Sequence, residues 1–177
     1  MINKNPYGQY PRIAKSAYIH PAAVIIGNVI IGKQTFVGPG AVIRADEPGT
    51  TITIGHGCNI QDRVVVHSLQ NSSVIINDET SLSHGCIVHG PCKIGKNCFI
   101  GFGAVVFNAT LGSGVIIKQL SVVEQTAIPA NKLVDALQLI NDITKAKNLP
   151  VTGNDDRAFV KKVIAVNKQL VKGYCKS

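Results

Sequence analysis

From Ile13 onward an aliphatic residue recurs at every sixth position, through Ile19, Ile25, Ile31, Val37 and Ile43, and again through Ile54, Ile60 and Val66. The series restarts at Ile76, Leu82, Val88, Ile94, Ile100 and Val106, and after a slip of one residue it runs through Leu111, Ile117 and Val123. Interruptions near Pro48 and Ser72 read as loops. Neither an amphipathic helix, with its period of about 3.6, nor an alternating strand, with its period of about 2, keeps a six-residue step over about a hundred residues.

The fourth position after each aliphatic is small or β-branched, as at Ala23, Thr35, Cys58, Thr80, Cys86 and Ala104, and the position directly after it is often Gly, as at Gly32, Gly38, Gly95 and Gly101. Such hexads describe short parallel strands joined by tight corners, three to a coil, with the aliphatic side chain inward and the small residue at the corner. An all-β parallel β-helix is therefore expected over 1–127.

After Pro129 the hexads are expected to stop, leaving 128–177 as a C-terminal extension. Lys132 to Asn148 has weak helical character, and Pro150 and Gly153 break it. Asn154 or Asp155 then caps an amphipathic helix over about 155–172, which places Phe159, Val160, Val163, Ile164, Val166, Leu170 and Val171 on one side and ends before Gly173. This helix is expected along a flank of the β-helix.

Composition agrees with a narrow aliphatic core: there is no Trp among the 177 residues, against 17 Gly, 5 Phe and 4 Tyr. The net charge of +8 is concentrated late, since nine of the 18 basic residues and four of the 10 acidic ones lie from 128 on. No aromatic interleaving or nucleic-acid motif accompanies them, so a solvated helix face explains the charge and no nucleic-acid partner is expected. No apolar run approaches the roughly 20 residues that cross a bilayer. The polar start, Met1 to Pro11, has no apolar signal region, so a cytoplasmic address and no membrane partner are expected. Cys58, Cys86, Cys92 and Cys98 all occupy the small corner slot and read as small hydrophobes, with no C-x-x-C pair to suggest a zinc ribbon. Cys175 is a tail residue.

Chemistry resides in the histidines. His20 and His56 stand on different coils without partners and read as surface residues. His67 follows Val66 and His89 follows Val88, and two hexads intervene, so the two imidazoles stack on neighbouring coils about 4.8 Å apart and can reach one metal ion. His84 belongs to the preceding face, as far as ~16 Å from His89, and is poorly placed to join them within one chain. A second subunit could supply it. A three-faced β-helix packs around a threefold axis, which gives a homotrimer with a shared site of His67 and His89 from one chain and His84 from its neighbour. Three histidines and an open fourth position form a catalytic zinc arrangement.

The sequence closely resembles the gamma-class carbonic anhydrases. The resemblance rests on Arg44-Ala-Asp46-Glu47, Asn59-Ile-Gln61-Asp62, His67, Ser83-His84 through His89-Gly90-Pro91, Phe99-Ile-Gly101-Phe102, Val106-Phe-Asn108, and Val166-Asn167 with Gly173-Tyr174. It implies a left-handed coil, a trimer, and zinc-dependent reversible hydration of carbon dioxide to bicarbonate, a lyase reaction, with zinc on His67, His84 and His89. It further implies that Gln61 orients the attacking hydroxide, that Asn59 helps place substrate or bicarbonate, and that Glu47 belongs to the proton-transfer machinery. Arg44 and Asp46 would pair across the subunit interface with Asp62 in the same polar cluster, and Asn167 would lie near the site. Two positions depart from the family pattern: Gln70 stands where a proton-shuttle glutamate would be, and Ala165 replaces a tyrosine. Activity is therefore expected to be slower or to depend on buffer as proton acceptor. A three-histidine site also accepts Fe2+ or Co2+. A weakly active or inactive metal-binding scaffold and a hexapeptide acyltransferase are the competing readings. The triad with Gln61, and the lack of a long loop to embrace a pantetheine arm, weigh against the acyltransferase.

Overall fold

The computed structural model describes residues 1–175. Its core is a left-handed parallel β-solenoid of about seven turns. The described residues form 22 short strands, sorted into three parallel sheets of eight, seven and seven that make the faces of a triangular prism. The chain visits the faces in fixed rotation. Val65–His67 and Ile87–His89 lie on the first face, Ser73–Ile76 and Cys92–Ile94 on the second, and Asn59–Ile60 and Ser81–Leu82 on the third.

The six-residue step produces this shape because each strand buries one aliphatic side chain directly above its counterpart one coil away. On the first face Ile25, Ile43, Val66, Val88, Val106 and Val123 stack in register, and all are fully buried. Each such side chain contributes about 1.5–3 kcal/mol on burial, and a fill of Ile, Val and Leu suits a prism this narrow. The corners turn through left-handed backbone at Gly57, Asn97 and Asn131, where φ is 61°, 55° and 58°, a conformation that Gly and Asn tolerate. Gly101 serves closeness instead: a Cβ there would lie 2.6 Å from the backbone nitrogen of Gln119.

Cys58, Cys86, Cys92 and Cys98 are buried and free, as their corner positions predict. Burial pushes the thiols of Cys58 and Cys86 up to about 12 and that of Cys98 up to about 11, so they are neutral and inert near neutral pH.

The solenoid does not end at 127. Ala127–Ile128, Leu133–Val134 and Leu139–Ile140 each extend one face, and Ile128, Val134 and Ile140 keep the inward six-residue step. The signature fades there because Pro129, Asp135 and Asn141 follow the aliphatics where Gly stands earlier, and Lys132 and Gln138 occupy the small slot. The apparent helical character after Lys132 belongs to these strands, and only Ile143–Asn148, helix α1, is helical.

Helix α2 spans Asn154–Tyr174 and lies across the third face, running back along the prism axis. Its Phe159 meets Phe99 edge-on, while Tyr174 stacks on Tyr18 with centroids 4.5 Å apart. That stack carries the helix past Gly173. The N-cap is Gly153, whose N–H donates to Asp156 Oδ2 at 3.0 Å, in place of a cap at Asn154 or Asp155. Val160, Ile164, Asn167 and Val171 face the sheet, whereas Phe159, Val166 and Leu170 stay exposed, so the apolar stripe is wider than the buried one. No described helix is long and apolar enough to cross a membrane.

Candidate metal centre

Two clusters of functional side chains occupy opposite edges of the first face. At the edge leading to the second face, the outward column reads Ile26, Arg44, His67, His89, Phe107 and Glu124, one residue per coil. His67 and His89 are directly paired residues on adjacent strands, and His67 Nδ1 lies 3.1 Å from His89 Nε2. His67 Nε2 points the other way, 3.3 Å from Asp46 Oδ1 and 3.7 Å from Glu47 Oε1. Arg44 Nη1 holds the second Asp46 oxygen at 3.2 Å, and the Gln70 backbone N–H donates to Glu47 Oε2 at 2.6 Å. The loops after Ala45 and after His67 therefore brace one another around this histidine.

At the opposite edge, the turn that enters the first face from the third presents His84. Its ring stacks on Phe102, with centroids 5.7 Å apart and planes 12° apart, and its Nδ1 lies 3.4 Å from Asp62 Oδ2. Gln61 and Ser83 precede Asp62 and His84 on neighbouring coils. Gln61 Oε1 and Ser83 Oγ are both buried without a hydrogen-bond partner.

The donor set fits a metal ion. Two nitrogens bound to one tetrahedral ion at about 2.0–2.1 Å lie roughly 3.3–3.4 Å apart, close to the observed His67–His89 separation. Each histidine also has its other nitrogen near an oxygen: Asp46 for His67, the Gly90 carbonyl at 3.4 Å for His89, and Asp62 for His84. Such outer partners fix the tautomer and free the remaining nitrogen as a ligand. Among the described residues no three His, Cys, Asp or Glu side chains converge on one ion within the chain. His67 and His89 therefore form a two-nitrogen half-site, and His84 stands apart from it.

Arg44 and Asp46, expected to pair between subunits, also lie 3.2 Å apart within one chain. Within one chain Asp62 lies beside His84, on the edge opposite the Arg44–Asp46 pair. Asn59 is fully buried on the third face, where Asn59 Nδ2 donates to Ser81 Oγ at 2.9 Å. Asn167 lies on the buried side of α2 and donates to the Val163 carbonyl at 2.8 Å. His56 is exposed as expected, and half-buried His20 accepts from the Ala22 N–H. Sequence reasoning missed Ser81, Ser83 and Phe102 as partners of the site residues. The signal available was that Ser81 and Ser83 stand one coil after Asn59 and Gln61 in the same columns, so that four polar residues adjoin.

A prism of hexads bearing a histidine pair on adjacent coils defines a class, the hexapeptide-repeat solenoids with a candidate metal half-site on one edge. The sequence profile of the family described as bacterial transferase hexapeptide (six repeats) matches residues 10–45 and 73–108. The carbonic anhydrase of Methanosarcina thermophila is 33% identical over 96% of this chain and 77% of its own length. The chain belongs to the hexapeptide-repeat family of the gamma-class carbonic anhydrases. The carboxysome assembly protein CcmM of a Nostoc strain is 39% identical over 92% of this chain, which spans only 31% of that longer protein. Among solved structures, a hexapeptide transferase family protein from Anaplasma phagocytophilum superposes with a TM-score of 0.85 at 28% identity, covering 98% of both chains.

Proposed function

We propose that this chain is a carbonic anhydrase that hydrates carbon dioxide reversibly to bicarbonate, acting in the cytoplasm as a homotrimer. Each of three sites would take His67 and His89 from one subunit and His84 from its neighbour. The observation that carries this reading is the two-nitrogen half-site on one edge of the first face, with the remaining histidine presented beside Gln61 on the other edge. A monomer carries both halves and cannot close either, whereas a threefold assembly brings unlike edges together.

Zinc, or Fe2+ or Co2+, bound to these nitrogens would lower the pKa of a bound water to about 7 and so supply hydroxide at neutral pH. The chain's own residues do the rest. Asp46, itself held by Arg44, fixes the His67 ring. Gln61 offers its amide as a donor that orients the attacking oxygen, and Asn59 supports the strand that carries it. Glu47 sits beside His67 as the retained carboxylate of the proton path, while the Gln70 amide cannot carry a proton.

Two other readings have support of their own. The likeness to a hexapeptide transferase, together with an open groove of about 710 Å³ on the second face near Lys93 and Asn108, favours acyl transfer. The likeness to a carboxysome assembly protein favours a scaffold. Anaerobic purification with metal content and stopped-flow hydration measured together separates all three. We expect about one metal per chain and a hydration rate that a chelator abolishes and imidazole buffer raises. Metal without hydration would leave the scaffold, and absence of metal would leave the acyltransferase.

A further inference from the structure

Asn59 and Gln61 on one coil and Ser81 and Ser83 on the next form a two-by-two block of outward polar side chains on the third face. In the first column Phe36 and Phe99 flank it; in the second, Gly38 and Gly101. Helix α2 contacts the strands on either side of Asn59. Asn59, Ser81 and Ser83 are at most 1% exposed.

One bond within the block is made, from Asn59 Nδ2 to Ser81 Oγ. Three oxygens have no partner: Asn59 Oδ1, Gln61 Oε1 and Ser83 Oγ. Buried polar atoms are nearly always paired, so three orphans on adjoining positions call for one common explanation. Two of them are amide oxygens, which only accept. The third is a hydroxyl, which can donate. An anion would face two carbonyl oxygens, and a cation would find no charge in the block to offset its own. Water has the complementary set, two O–H donors and a lone pair, and buried waters make about three such bonds.

We infer that this block holds one ordered water that donates to Asn59 Oδ1 and Gln61 Oε1 and accepts from Ser83 Oγ, which makes Ser83 a positioning residue. With its oxygen engaged, the Gln61 amide is fixed with Nε2 free to donate at the edge that bears His84. The kinetic consequence rests on the carbonic anhydrase reading, but the water does not.

Crystal structures of the metal-free protein and of Ser83→Ala and Ser83→Thr test the water directly. We expect density within about 3 Å of all three oxygens in the unaltered protein and in Ser83→Thr, and its loss in Ser83→Ala. Hydration kinetics test the positioning: Ser83→Ala lowers kcat about three- to tenfold, the effect of one hydrogen bond, with little change in KM, and Ser83→Thr restores it. An empty block in the unaltered protein, or a water that persists in Ser83→Ala, would overturn the inference. A lost water with unchanged kcat would overturn the positioning role. Should the unaltered protein hydrate no carbon dioxide, the activity reading fails while the crystals still decide the water.

Discussion

The two edges of the first face are unequal. The edge of His67 and His89 is preformed: the His67 side chain is 13% exposed and braced by Asp46 and Glu47, and Arg44 and the Gln70 backbone brace those carboxylates in turn. The edge of His84 is open, with its side chain 46% exposed, flanked by half-exposed Phe102 and by buried oxygens that lack partners. One edge has partners for its own polar groups, and the other presents outward the histidine proposed as the third ligand. A site assembled from unlike edges needs this division, because a rigid half-site can receive a ligand delivered on a corner with few steric demands.

The largest effect should come from separating the edges genetically. His67→Ala and His84→Ala should each lower hydration by at least about a hundredfold, since each removes a proposed metal ligand. Mixed after dissociation, the two variants should recover about a quarter of the sites, because random assembly pairs an intact His67 edge with an intact His84 edge one time in about four. Mixed trimers without recovered activity would place both halves of the site within one chain. A smaller effect tests the bracing of the preformed edge. Asp46→Asn keeps the shape but weakens the partner of His67 Nε2, and titration with Zn2+ should show affinity about 10–100-fold lower. Unchanged affinity would mean that the preformed edge owes nothing to its carboxylate.

The preformed edge is the more legible in the amino-acid sequence. Stacking of His67 on His89 follows from counting hexads, since an exact repeat converts sequence distance into spatial register. Separation of His84 from that pair follows from the same count. Its partners do not: Phe102 and Asp62 meet His84 across coils at a corner whose turn geometry the repeat leaves open. The last coil escaped for a related reason. Ile128, Val134 and Ile140 keep the inward step, but Pro129 and Lys132 stand where Gly and small residues usually mark it. Under α2 the difficulty is tertiary. Asn59 and Ser81 are buried on a face that a helix contacts, and Asn167 is buried on that helix, a packing that no local pattern announces.

The smallest effect concerns how the open edge holds its histidine. Two contacts fix His84: the Asp62 carboxylate near Nδ1, which leaves Nε2 as the nitrogen to offer, and the Phe102 ring stacked on the imidazole. Neither contact is buried, so each contributes modestly. A stacked aromatic pair is worth about 0.5–1.5 kcal/mol. Phe102→Ala should therefore free the imidazole to sample other rotamers and weaken metal binding by about two- to tenfold, while Phe102→Tyr should preserve it. Zn2+ titration of the assembled protein measures this directly, and the oligomeric state must be followed alongside, because Phe102 is half-exposed at the edge proposed to meet the neighbour. If Phe102→Ala leaves the assembly intact and the affinity unchanged, the stack is incidental and His84 is positioned by the neighbouring subunit alone. If affinity falls with assembly intact, the open edge is also pre-organised, and the two edges differ in degree rather than in kind.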